Sequence, residues 1–132
     1  MILPDTNILI AYFKKHKPVV QVIEQALEKR QILLSVVSVG EFLVAASEAE
    51  TAIVDEMIVI LGIISIDRAI MDQAVVFRQH VLRKSKRVLL LDCFIAATAK
   101  LRNATLLTFD RRDYPFSGIK VKEPQELHVS SL

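Results

Sequence analysis

Four acidic side chains, Asp5, Glu41, Asp92 and Asp110, are the residues of this sequence whose types suit chemistry, although they lie far apart along the chain. Each also has an ordinary local explanation. Asp5, in Asp5–Thr6–Asn7, fits an Asx-turn. Glu41 fits the reciprocal half of a capping box with Ser38, and Asp92 fits a helix N-cap. Asp110 fits a turn ahead of Arg111 and Arg112. If a fold gathers all four, the result is an all-oxygen donor set, which favours Mg²⁺ or Mn²⁺ over Zn²⁺. His16, His80 and His128 are scattered without metal-ligand spacing. Cys93 follows Asp92 directly but reads as a small packing residue.

The elements that must position these acids follow from the hydrophobic pattern. Short apolar strands are expected at Met1–Pro4, Ile32–Leu34, Ile63–Ile66, Thr105–Thr108 and Ile119–Val121. Helical periodicity covers Ile8–Phe13, Val19–Lys29, a segment opened by Ser38–Glu41, Thr51–Leu61, a helix capped by Asp67 and running to about Lys84, and Cys93–Leu101. Strands alternating with helices predict parallel βαβ units in a helix-covered sheet, an α/β fold with one domain over residues 1–132. In such sheets ligands bind where strand carboxyl ends meet helix amino ends. Asp5, Asp92 and Asp110 fall at such junctions, with Glu41 near the start of its helix.

Composition narrows the function classes. With 132 residues and one cysteine, the chain needs no disulfide framework and suits a reducing cytoplasm. No basic segment followed by an apolar one opens it, which argues against a secretory leader. The longest apolar run, Met57–Ile66, is about half of the ~20 residues that a spanning helix needs, so no membrane segment is expected. Hydrophobic content of 52% and a mean hydropathy of +0.39 are high for a small monomer. Some apolar surface is therefore expected at an interface. Net charge is +2, with Arg83, Lys84, Lys86 and Arg87 close together and Arg102, Arg111 and Arg112 beyond. That distribution fits either a polyanionic substrate or an ordinary solvated surface.

Four segments carry a family resemblance: Pro4–Asp5–Thr6–Asn7–Ile8–Leu9–Ile10, Glu41–Phe42, Leu91–Asp92–Cys93–Phe94–Ile95–Ala96–Ala97–Thr98–Ala99 and Leu107–Thr108–Phe109–Asp110–Arg111–Arg112–Asp113–Tyr114. Taken in order, they resemble PIN-domain ribonucleases, in particular VapC-type toxins of toxin–antitoxin pairs. The resemblance implies a three-layer α/β/α sandwich with a short, mainly parallel central sheet. It also implies Mg²⁺- or Mn²⁺-dependent cleavage of single-stranded RNA, leaving 5′-phosphate and 3′-hydroxyl ends. Asp5, Asp92, Glu41 and Asp110 match the catalytic and metal-binding positions. Thr6, Asn7 and Thr108 match polar positions that support the site and substrate, and Asp113 matches an acid with a structural role. A homodimer and an antitoxin that covers the acidic groove are the implied partners.

Three other readings compete. An aspartyl-phosphate phosphatase of the haloacid type needs a second Asp two residues after the first, and Asn7 stands there. A non-catalytic RNA- or partner-binding domain would keep the acids for structure alone. A PIN-type RNA-processing or decay nuclease would share the chemistry without being a toxin. Phe109 and Tyr114, in a turn, are candidates for stacking RNA bases.

Overall fold

The structure, a computed structural model, describes residues 1–84 and 88–127. Three short strands, β1 (Ile2–Pro4), β2 (Thr105–Leu107) and β3 (Lys120–Lys122), form a parallel sheet in that order. Leu3 pairs with Leu106, and Leu106 with Val121. The helices are α1 (Thr6–Phe13), α2 (Lys17–Glu28), α3 (Val36–Leu43), α4 (Glu48–Leu61), α5 (Arg68–Arg83) and α6 (Leu90–Leu101).

Side-chain alternation along the strands sorts the helices into layers. Ile2 and Leu107 project to one face and pack with Ile8 of α1 and Val19, Val22, Ile23 and Ala26 of α2. Leu3 and Leu106 project to the other, against Ile70, Ala74, Phe77 and Val81 of α5 and Cys93, Ile95, Ala96 and Ala99 of α6. A third cluster joins Leu9 to Leu34, Val39 and Phe42, and to Val54 and Met57 of α4. The expected α/β/α sandwich with a short parallel sheet is the fold observed.

Two expected strands are reduced to single bridges. Ile32 pairs with Ile2, and Ser35 with Ile64. Both segments still donate and accept as a sheet edge would: Leu33 N–H bonds Ile2 O at 2.8 Å, and Ile64 N–H bonds Leu34 O at 2.8 Å. Helices begin too soon afterwards for the ladders to extend. Ser35 already caps α3, its hydroxyl accepting from Val37 N–H, and Asp67 caps α5 by accepting from Ile70 N–H. The capping box expected at Ser38–Glu41 is therefore absent. Ser38 lies inside α3, and its fully buried hydroxyl has no partner among the described residues. The capping box sits instead at Ser47 and Glu50, which starts α4 three residues before the expected Thr51. That helix ends at Gly62, whose φ of 79° few side chains tolerate.

No described helix is long and apolar enough to cross a membrane. Of the basic cluster, Arg83 and Lys84 are exposed at the end of α5, whereas Lys86 and Arg87 lie outside the described residues, as does His128. Cys93 is buried, and burial pushes its thiol up to about 11.

Candidate active site

The β1–α1 junction creates the first carboxylate position. Asp5 N–H continues the sheet by bonding Leu107 O at 3.0 Å. Its side chain then turns to cap α1, Oδ1 accepting from Ile8 N–H at 3.1 Å. Oδ2 accepts from the Tyr114 hydroxyl at 3.2 Å, and the Thr108 hydroxyl also bonds this carboxylate. Asp5 is only 5% exposed. Burial raises its pKa, the bonds from Thr108, Ile8 and Tyr114 pull it back, and the charge of Asp113 raises it further.

Asp92 is the third residue of α6, three places beyond the cap rather than at the N-cap expected for it. Leu89 occupies the cap and contributes no side-chain bond. The Asp92 carboxylate reaches back to accept from Leu89 N–H, half of a capping box, and its charge lies at the favourable end of the helix dipole. Its pKa is nevertheless pushed up to about 6, by burial first and then by the charges of Asp113, Glu41 and Asp5. Like charges facing one another in a poorly solvated place disfavour ionisation.

Glu41, exposed on the second turn of α3, accepts from the Thr6 hydroxyl at 2.8 Å. That bond ties the start of α1 to α3. Asn7 is exposed beside Thr6 on the first turn of α1. Thr108 is buried, and its Oγ1 also accepts from Asp110 N–H at 3.2 Å.

Asp110 stands apart from this group. It caps a 3₁₀ turn, Arg111–Asp113, where Oδ1 accepts from Arg112 N–H at 2.9 Å. Its two oxygens also clamp the Arg112 guanidinium at 3.1 and 3.0 Å, which holds its carboxyl below the usual range. One turn later the same 3₁₀ segment carries Asp113 toward Asp5 and Asp92, and Asp113 is the charge acting most strongly on Asp92. Asp113, read from the sequence as structural, is thus a further acid whose charge reaches Asp5 and Asp92. Asp110 and Asp113 lie three apart, the spacing of one 3₁₀ turn, and only the direction of the turn decides between them. Arg111 pairs with Glu126 and Glu123, and Arg112 with Asp110.

Tyr114, a candidate for base stacking, is 5% exposed and belongs to the core. Its phenol is held far above its usual pKa, by burial first and then by the charges of Asp5 and Asp92. Phe109 remains 40% exposed, its ring meeting His16 edge-on at 5.6 Å.

The donors fit a hard divalent cation: carboxylate oxygens without imidazole or thiolate, and leading influences on Asp92 that include no cation. As placed, no three Asp, Glu, His or Cys side chains among the described residues converge tightly enough to enclose one ion. Thr6 holds Glu41, while Ile8, Thr108 and Tyr114 hold Asp5.

The chain matches the PIN domain family over residues 2–120. It is similar to a toxin–antitoxin complex from Klebsiella pneumoniae at 30% identity and a TM-score of 0.68, covering 94% of this chain and 98% of that one. DNA-bound VapBC from Salmonella typhimurium superposes with a TM-score of 0.78 at 22% identity, covering 93% of this chain and 97% of that one. VapBC2 from Rickettsia felis, bound to a promoter DNA fragment, gives 0.77 at 21% identity, with 93% and 98% covered. No curated protein matches the chain.

Proposed function

Because the chain belongs to the PIN domain family, a family of nucleases, we propose that it is a divalent-metal-dependent endoribonuclease of single-stranded RNA and the toxin of a toxin–antitoxin pair. The observation that carries this reading is that the charges of Asp113, Glu41 and Asp5 all act on Asp92, which gathers negative charge beside the carboxyl end of β1. A folded protein keeps such a cluster at a cost unless a cation neutralises it.

Asp5, Asp92, Glu41 and Asp113 would hold the ion, with Asp113 taking the position that sequence assigned to Asp110. When bound, a divalent cation supplies Lewis acidity toward a phosphate oxygen and makes water a stronger acid. The remaining work belongs to the chain. Asp5 is fixed by three donors and keeps one orientation through the reaction. Asp92 rides on the first turn of α6, a rigid platform packed against α5. Glu41, exposed and held among the described residues by Thr6, is the acid most able to adjust as substrate arrives. Thr108 fixes Asp5 from the strand, and the Asn7 amide, exposed beside it, is offered to the substrate.

The partner in this reading is an antitoxin segment. Supporting it is a groove of about 720 Å³ between α1, α2 and α4, whose lining sets the apolar Tyr12, Phe13 and Ile53 among the charged Lys15, Lys17 and Glu24. Tyr12 and Phe13 lie at the end of α1 opposite Asp5, about 12 Å away along an eight-residue helix. A segment docked there must extend along α1 before it covers the acids. Exposed Val75, Val76 and Leu82 on α5 and Leu89, Leu90 and Leu91 before and on α6 supply apolar surface for a homodimer. Sequencing RNA ends after induced expression tests the reading. New 5′-phosphate ends with the parent protein, absent with Asp5→Asn, are expected, and identical end profiles would overturn it.

A further inference from the structure

Tyr114 joins the core to the acidic centre. Its ring belongs to the cluster that contains Phe77 and Phe116, whose rings stack at 4.5 Å and 25°. Its backbone closes the 3₁₀ turn, Tyr114 N–H donating to Arg111 O at 3.1 Å, and Phe116 N–H donates to Tyr114 O at 2.8 Å. The residue before it is Asp113. A phenylalanine would fill the same apolar space, so packing alone does not call for the hydroxyl. That hydroxyl is buried and spends its proton on one acceptor, Asp5 Oδ2 at 3.2 Å, across 109 residues of chain.

An ionised carboxylate offers about four acceptor positions. Ile8 N–H, the Thr108 hydroxyl and the Tyr114 hydroxyl occupy three of those at Asp5. One position is left, and its direction is set by the other three. Removing the Tyr114 bond frees Oδ2 and lets the carboxylate pivot on Ile8 and Thr108. It also unfastens the segment that carries Asp113 from the strand edge that carries Asp5.

We propose that Tyr114 is a positioning residue of the acidic centre, its hydroxyl fixing the ligating orientation of Asp5 and the distance of Asp113 from it. This rests on the reading of the four acids as a divalent-cation site. Groups that orient metal ligands from behind commonly account for 10–100-fold in affinity.

The test is Mn²⁺ binding by calorimetry to the full chain, comparing the parent with Tyr114→Phe and Phe116→Leu, with melting curves of each in EDTA. Tyr114→Phe keeps the ring and is expected to melt within about 5 °C of the parent, yet to bind Mn²⁺ about tenfold more weakly. Phe116→Leu, which disturbs the same core without touching an acid, is expected to lower the melting temperature and leave Mn²⁺ affinity within about twofold of the parent, well short of the effect of disturbing a ligand's support. Parent-like affinity in Tyr114→Phe overturns the positioning role while leaving the metal site standing. Equal weakening in both variants also overturns it, since the effect would then follow from packing. A parent protein that binds no Mn²⁺ at millimolar concentration overturns the metal reading and the role of Tyr114 together.

Discussion

Replacing Asp92 by Asn separates the electrostatic cost of the acidic centre from its use. In the folded, metal-free protein the Asp92 carboxyl is pushed from 3.8 up to about 6. A gap of that size corresponds to roughly 3 kcal/mol, which solvent screening of a part-exposed group reduces to about 1–2 kcal/mol. The sign follows from the direction. A folded-state pKa above the unfolded value contributes stability that is full below about pH 3.8 and lost as pH rises through about 6. At pH 7.5 in EDTA, Asp92 therefore opposes folding. Asn keeps an oxygen for Leu89 N–H and removes the charge, at the loss of about 0.3–1 kcal/mol of helix-dipole interaction. The net gain is about 0.5–1 kcal/mol, or about 2–4 °C in Tm for a chain of this length. At pH 3.5, below both values, the parent carboxyl is largely protonated folded and unfolded alike, and the two curves should nearly coincide. Cleavage should meanwhile fall by at least about 100-fold, since several kcal/mol of transition-state stabilisation depend on the ligated cation. Melting curves at both pH values and one RNA assay suffice. A mutant that melts below the parent at pH 7.5, or a difference independent of pH, refutes the electrostatic reasoning.

Asp113→Asn should lower cleavage by about 100-fold or more, whereas Asp110→Asn, which only loosens the Arg112 clamp, should stay within about threefold; the reverse order in a single-turnover assay would restore Asp110 to the centre. A charge placed in the groove by Ile53→Glu should weaken capture of the antitoxin by at least about tenfold while leaving cleavage by the free enzyme unchanged, read by calorimetry with the purified partner. Neutralising Arg83, Lys84, Lys86 and Arg87 together should flatten the salt dependence of RNA binding by roughly 0.7 for each phosphate that these side chains neutralise in the parent complex. An unchanged slope assigns them to ordinary surface.

Much of the scaffold was legible because its signals are local and strong. Asp67 caps α5 as its position suggested, and the helical periodicity over Val19–Lys29 and Cys93–Leu101 located α2 and α6 to within three residues at each end. Weaker signals misled where two equivalent residues compete. Ser35 and Ser38 both precede β-branched residues, and only tertiary pairing of Ser35 with Ile64 makes the first of them the cap. Strands at Ile32 and Ile64 shrink to single bridges because the helices that follow them start almost at once. At the site, Asp5, Glu41 and Asp92 could be singled out by residue type and by their places near element ends. The resemblance assigned Asp110 to the centre and Asp113 to structure, and one 3₁₀ turn separates the two, so Asp113 is the one whose charge acts on Asp92. The hydroxyl of Tyr114 reaching Asp5 is a long-range contact, and nothing in the local sequence announces it.

The most direct measurement is cleavage of a single-stranded RNA by the purified protein, run in excess EDTA, with Mg²⁺ restored, and with Asp5→Asn in parallel. The expected result is no cleavage in EDTA, recovery with Mg²⁺ or Mn²⁺, and none with Asp5→Asn under any of these conditions. Undiminished cleavage by the parent in EDTA, or parent-like cleavage by Asp5→Asn, would contradict a divalent-metal centre built on these acids.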